Sequence, residues 1–180
     1  IAAMRKICVL LVGIIIPMLA TAQNDWANYG RYAEANAQVA AAPKAVLMGD
    51  SITDGWPFAD PEFFSENNFV GRGISGQVTS QMLLRFRQDV IDLHPKYVVI
   101  LAGTNDIAEN SGKIDMEKTF GNIVSMCDLA KANGIKPILC SVIPATSFYW
   151  HPHVTGAAEK IVKLNAMIEK YAKENKIKYV

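Results

Sequence analysis

The sequence reads KAVLMGDSITDG at residues 44–55, where a short apolar run meets a polar turn. The run is bounded by proline and glycine and contains Val and Leu, which is typical of a buried strand in a parallel sheet. Ser51 therefore lies just past the carboxyl end of a strand, the edge at which open α/β sheets bind ligands. Asp50, Ser51 and Thr53 are also favoured helix N-caps, so these residues alone fit a structural role equally well.

The first 22 residues have the pattern of a secretory signal peptide. Arg5 and Lys6 precede an apolar run at residues 7–19, and Ala-Thr-Ala at residues 20–22 resembles an A-x-A cleavage site. The run is short for a membrane span, and an uncleaved anchor is the alternative. We therefore expect an exported protein, periplasmic or extracellular, with no stable membrane insertion after cleavage.

Length and composition indicate one globular domain. The chain has 180 residues, of which 51% are hydrophobic, and a formal net charge of +1. That length allows a sizeable core, and a charge near balance argues against a nucleic-acid partner. Cys127 and Cys140 follow the predicted signal peptide, and we expect both to be free thiols that pack as small hydrophobes.

Strands and helices alternate along the rest of the chain, which predicts a parallel sheet with helices on both faces. A structural helix is expected within residues 23–43, followed by one domain over residues 44–180. Apolar runs predict further strands at residues 68–71, 97–102, 136–143 and 176–180. Amphipathic stretches predict helices at residues 77–93, 115–133 and 155–174, the last capped by Thr155. The continuous run at residues 97–102 predicts a strand buried on both faces.

A glycine-rich turn, GRGISG at residues 71–76, leads into the predicted helix at residue 77. It matches the spacing of the dinucleotide fingerprint, but that fingerprint belongs to the first strand and needs an acidic residue at the end of the next one. Here the turn follows the second strand, and the third strand ends in Gly-Thr-Asn. We expect no nucleotide cofactor, and we interpret the glycines as allowing backbone N–H groups to approach a bound group.

Three successive strand ends carry candidate polar groups: Ser51, Gly76 and Asn105. Because the carboxyl ends of parallel strands share one sheet edge, these residues are expected to meet in a single crevice. Acyl transfer needs a nucleophilic hydroxyl and donors aimed at the oxygen that becomes negative. The backbone N–H groups of Ser51 and Gly76 and the Asn105 amide would supply those donors.

These stretches resemble the SGNH (GDSL-type) hydrolases, a family of esterases, lipases and carbohydrate acetylesterases. GDSITDG, GRGISGQVTSQML and VVILAGTNDIA follow the order and spacing of that family's first three motif blocks. The resemblance covers residues 44–180. It implies a flavodoxin-like α/β/α fold with strand order 2-1-3-4-5.

The resemblance also implies roles for individual residues. Ser51 would be the nucleophile, and Gly76 and Asn105 would be oxyanion donors together with the Ser51 amide. Residues that match turn-shaping positions of the family are Asp50, Gly103 and Asp106.

The family's fourth block, an Asp-x-x-His segment after the fifth strand, has no counterpart in these 180 residues. We expect the sequence to be part of a longer polypeptide, with the general base and its Asp beyond Val180. His151 and His153 are the nearest substitutes, although exposed loop histidines are the commoner case. His94 is expected at the opposite sheet edge. The 180 residues alone should be nearly inactive, because a site without one triad member retains only about 10³–10⁴-fold catalysis over water.

A proline-punctuated loop is expected at residues 56–64. Aromatic residues in this loop and in a later loop at the same sheet edge are candidates for substrate contacts. They are Trp56, Phe148, Tyr149 and Trp150. Aromatic walls suit sugar faces as well as acyl chains. Together with export, they favour short-chain O-acetyl esters on carbohydrates, with lysophospholipids or other lipid esters as the alternative.

Two other classes of function stay open at this point. A module with the crevice but no base would bind acetylated glycans without hydrolysing them. A metal-dependent phosphohydrolase would use Asp50, Asp54 and Asp106 as ligands, but turn structure explains all three, so we expect no metal. The sequence contains neither a phosphate-binding G-x-x-x-x-G-K-[ST] loop nor a G-x-S-x-G elbow.

Overall fold

A computed structural model describes residues 25–180, so the predicted signal peptide and its cleavage site lie outside the described residues. A five-stranded parallel sheet runs through this part of the chain in the order β2-β1-β3-β4-β5. The strands are β1 (Ala45–Gly49), β2 (Phe69–Gly73), β3 (Tyr97–Leu101), β4 (Lys136–Leu139) and β5 (Lys178–Tyr179). The predicted parallel sheet and its strand order are confirmed.

Helices follow the strands as expected for a right-handed α/β fold. They are α1 (Ala33–Ala37), α2 (Ser51–Ala59), α3 (Pro61–Asn67), α4 (Thr79–Asp89), α5 (Thr104–Ile107), α6 (Met116–Ala132) and α7 (Ala157–Glu174). Short 3₁₀ turns occur at Tyr29–Tyr32 and Ile91–Leu93. Over residues 25–180, every helix is too short or too polar to cross a bilayer.

The two faces of the sheet are covered unequally. Side chains of α4, α6 and α7 form the main core with one face, which includes Val98 and Ile100 of β3. On the other face α2 and α3 pack against β1 and β2, around a smaller cluster centred on Leu47 and Phe64. Alternate residues of β3 are consequently only half-buried, so the prediction that this strand is buried on both faces is wrong.

Two segments before and after β1 differ from their predicted structure. The helix expected within residues 23–43 is reduced to a 3₁₀ turn and the five residues of α1. The loop expected at residues 56–64 is instead the end of α2 and most of α3. Asp60 accounts for the second helix, because its carboxylate accepts the N–H of Phe63 at 3.2 Å and Pro61 takes the first helical position.

Smaller differences lie at the ends of elements. The last helix begins after Gly156, so the predicted cap at Thr155 is wrong. The fourth strand ends at Leu139 and not at residue 143. Cys127 is buried and Cys140 is half-buried, and both are free. Burial raises the pKa of Cys127 to about 12, which keeps that thiol protonated and unreactive.

Candidate active site

The ends of the three central strands lie side by side. Gly49, the last residue of β1, pairs with Gly73 of β2 and with Leu101 of β3. Ser51, Gly76 and Asn105 follow these residues within two to four positions. The register therefore brings the three predicted residues to one edge of the sheet, each just after one of three adjacent strands.

Ser51 is the first residue of α2, and its side chain is exposed. The helix is capped by Asp50, whose carboxylate accepts the N–H of Ile52 at 3.1 Å, and not by Ser51. Burial raises the pKa of Asp50, against the lowering effect of that hydrogen bond. With its neighbour acting as the cap, the Ser51 hydroxyl is open to solvent at the amino end of a helix.

Gly76 lies in an exposed turn between β2 and α4, with a φ of 79°. Residues with a side chain rarely adopt this left-handed backbone conformation, so the backbone geometry itself favours glycine. The turn is held from both sides. The carbonyl of Gly76 accepts a hydrogen bond from Asn110 Nδ2 at 3.1 Å, and Asp54 of α2 accepts the Ser75 N–H at 3.1 Å and the Ser75 hydroxyl at 2.8 Å.

Asn105 is buried, and both ends of its amide are engaged. Nδ2 donates to the carbonyl of Gln77 at 3.0 Å, while Oδ1 accepts from Asn110 Nδ2 at 3.0 Å. These bonds fix which way the amide points and leave one Nδ2 hydrogen for a further acceptor. Asn110 thus contacts Gly76 and Asn105, two of the three residues predicted to supply oxyanion donors, and sequence reasoning did not single it out.

Asp106 is buried beside Asn105 and ties three helices together. Its carboxylate accepts the N–H of Thr79 at 2.9 Å, the hydroxyl of Thr79 at 2.6 Å and the hydroxyl of Thr119 at 3.3 Å. Burial raises the pKa of Asp106, although the Thr79 hydrogen bonds act in the opposite direction. Gly103, with a φ of 121°, makes the sharp turn from β3 into α5, the helix that carries Asn105 and Asp106.

The four aromatic residues predicted to contact substrate occupy different environments. Phe148 is 2% exposed and belongs to the main core. The prediction that it contacts substrate is therefore corrected: it packs in the core. Trp56 is 40% exposed and stacks on Phe63 with ring centres 5.1 Å apart. Tyr149 is 90% exposed, and Trp150 is 42% exposed with its indole Nε1 donating to Asn110 Oδ1 at 2.9 Å.

A cleft of about 450 Å³ opens beside Gly76. Gly76, Asn110, Trp150 and His151 line it together with Trp26, a residue of the segment before α1 that was expected to be structural. The other lining residues are Asp25, Asn28, Ile74, Ser75, Gln77, Gln81 and Ser111.

The remaining titratable candidates are the histidines, and His151 and His153 lie together with ring centroids 5.3 Å apart. His153 is exposed, with its Nε2 3.9 Å from Glu109 Oε2. His94 precedes β3, at the opposite edge of the sheet as predicted. No three His, Cys, Asp or Glu side chains among residues 25–180 are grouped closely enough to hold a metal ion.

Comparison with known proteins agrees with this architecture. The model of the GDSL-like Lipase/Acylhydrolase family matches residues 47–180. A GDSL-like lipase from Bacteroides thetaiotaomicron is 56% identical with a TM-score of 0.83, covering 86% of this chain and 77% of its own. A protein from Bacteroides fragilis is 52% identical with a TM-score of 0.84, covering 87% and 77%.

A relative among curated proteins is the uncharacterized lipoprotein YqeF of Bacillus subtilis (strain 168). It is 39% identical, and the match covers 55% of this chain and 48% of the relative. The chain thus spans about half the length of that relative. The family match covers most of the chain, and the chain belongs to the GDSL-like lipase/acylhydrolase family.

Proposed function

We propose that this chain is an exported serine ester hydrolase that removes short acyl groups, O-acetyl above all, from carbohydrates. Membership of an acylhydrolase family supports the reaction class. The observation that carries the proposal is the strand register, which aligns the ends of β1, β2 and β3 and so groups Ser51, Gly76 and Asn105. Similarity to a lipoprotein supports export.

In the proposed reaction, Ser51 Oγ attacks the acyl carbon while a general base takes the hydroxyl proton. The carbonyl oxygen becomes negative and accepts hydrogen bonds from the N–H groups of Ser51 and Gly76 and from the free Nδ2 hydrogen of Asn105. Collapse of this intermediate breaks the ester bond, and the leaving alcohol takes the proton from the base. Water then hydrolyses the acyl-Ser51 by the same steps in reverse roles.

The general base is the part of the reaction that these 180 residues do not supply in the family's usual form, since they contain no Asp-x-x-His. We propose that the 180 residues on their own hydrolyse esters slowly. A chain with the crevice and no base anywhere would instead be a glycan-binding module, and Ser51-dependent acetate release separates the two.

A lipid ester is the second candidate substrate, and an apolar surface beside the nucleophile favours it. Ile52, which follows Ser51, and Trp56 are both exposed on α2, one turn apart. Hydrolysis of nitrophenyl acetate, butyrate and octanoate, each measured against Ser51→Ala, tests the choice. The proposal predicts the highest kcat/KM for acetate, and a maximum at octanoate would reject it in favour of a lipid substrate.

A further inference from the structure

We propose that the cleft between Trp26 and Trp150 is the subsite for the sugar ring of the leaving alcohol. This inference rests on the proposed function and names where its substrate sits. The cleft adjoins Gly76, a proposed oxyanion donor, so a group held in it lies next to the scissile ester. In this proposal Trp26 contacts the substrate, and Phe148, which is buried, does not.

Trp26 is held in place by side chains of α4 and of the turn before it. Gln81 Nε2 donates to the carbonyl of Trp26 at 2.7 Å, and Gln77 Nε2 donates to the carbonyl of Ala27 at 2.8 Å. Further along, Gln88 Nε2 donates to the carbonyl of Tyr29 at 2.7 Å. The segment is thus fixed through its backbone, while the indole of Trp26 stays 52% exposed.

Trp150 is anchored in a different way, through its own indole N–H on Asn110. Its ring also contacts Phe148 and Tyr149, with centroids 5.3 Å and 4.8 Å away. Asn110 in turn bonds Gly76 and Asn105, so the position of this indole is coupled to the proposed oxyanion donors. An anchored indole and a second one on a fixed backbone line the same cleft and provide apolar surfaces for the C–H groups of a pyranose.

The rest of the lining favours a sugar over an acyl chain. The lining also includes residues with amide, hydroxyl and imidazole side chains: Asn28, Ser75, Ser111 and His151. An acyl chain would cover these groups without returning hydrogen bonds to them, which is costly, whereas sugar hydroxyls would pair with them. The carboxylate of Asp25 at the same cleft disfavours an anionic phospholipid headgroup.

Isothermal titration calorimetry on the 180-residue chain tests the subsite without depending on catalysis. The probes are tetrasaccharides of xylose, glucose and mannose, with and without O-acetyl groups. We expect saturable binding of at least one of them, weakened at least tenfold by Trp26→Ala and by Trp150→Ala. Phe58→Ala removes an exposed aromatic side chain of α2 outside the cleft, and should bind within twofold of the parent.

Trp150→Phe keeps an aromatic ring and guards against misreading a variant that fails to fold, so it should retain more affinity than Trp150→Ala. Absence of saturable binding by the parent chain, or unchanged affinity in both folded Trp variants, would overturn the subsite. Acetate release is measured separately. Binding that needs both indoles but yields no Ser51-dependent acetate, even with imidazole supplied as the base, would leave the sugar site standing and reject the hydrolase.

Discussion

The two sides of the proposed site are built in opposite ways. On the Asn105 side, Asn105 and Asp106 are buried, and every polar atom of their side chains is held by a neighbour. On the Ser51 side, Ser51 is exposed, and Ile52 and Trp56 of the same helix are exposed as well. Donors that stabilise charge must be fixed before the reaction, whereas a nucleophile must be reached by substrate and base.

Removing the fixed donor should have the largest effect. Asn105→Ala deletes the proposed oxyanion hydrogen bond and should lower kcat by about 10²–10³-fold with little change in KM. Ester hydrolysis measured under the same conditions for Asn133→Ala provides the matched control, since that amide bonds a helix carbonyl near the other sheet edge. Equal losses in the two variants would mean that Asn105 acts only on stability.

The exposed side should respond to an added base. A positioned general base contributes about 10²–10⁴-fold, and free imidazole should recover a part on the order of tenfold in the Ser51-dependent rate. Because imidazole also hydrolyses nitrophenyl acetate by itself, Ser51→Ala measured at each imidazole concentration gives the background. If the Ser51-dependent rate is high without imidazole and does not rise when imidazole is added, His151 or His153 would have to be the base.

Loosening the fixed side without deleting a donor should have a smaller effect. Asn110→Ala removes hydrogen bonds to Asn105, Gly76 and Trp150, each worth about 1 kcal/mol, and should lower kcat by about fivefold to tenfold. A positioning role predicts that kcat falls more than KM rises. A change in thermal stability with unchanged kcat would reduce Asn110 to a structural residue.

The smallest expected effect is on the pH dependence of stability. Burial alone would raise the pKa of Asp54, but the hydrogen bonds from Ser75 and the contact with Arg31 lower it below 3.8. Asp54 therefore adds stability above pH 3.8 that is lost as the pH falls through its lowered pKa. Burial raises the pKa of Asp106, so the stability associated with that residue falls as the pH rises from 3.8 through its raised pKa.

Urea unfolding between pH 2 and 6 measures both effects. Asp54→Asn should make the free energy of unfolding fall less steeply towards low pH. Asp106→Asn should make it fall less steeply as the pH rises above 3.8. Slopes that change in the same direction in the two variants would contradict the opposite pKa shifts of Asp54 and Asp106.

The residues of the site that could be predicted from the sequence are those that a local pattern defines. Ser51, Gly76 and Asn105 each follow a strand, and parallel pairing alone brings such residues to one edge. The place of Asn110 and Trp26 in one cleft was missed because it depends on contacts between distant parts of the chain. Phe148 was misplaced because composition does not say which aromatic residue of a loop turns into the core. The helix at residues 61–67 was missed although Asp60 and Pro61 form an ordinary helix start.

We propose above all that Ser51 is the nucleophile of an assembled acyl-transfer site. Incubation of the 180-residue chain with a fluorophosphonate in the presence of imidazole, followed by peptide mass spectrometry, tests it most directly. We expect a single phosphonyl adduct, located on Ser51 and formed much more slowly in Asn105→Ala. An adduct on another residue, or no adduct while the folded chain still hydrolyses esters, would contradict it.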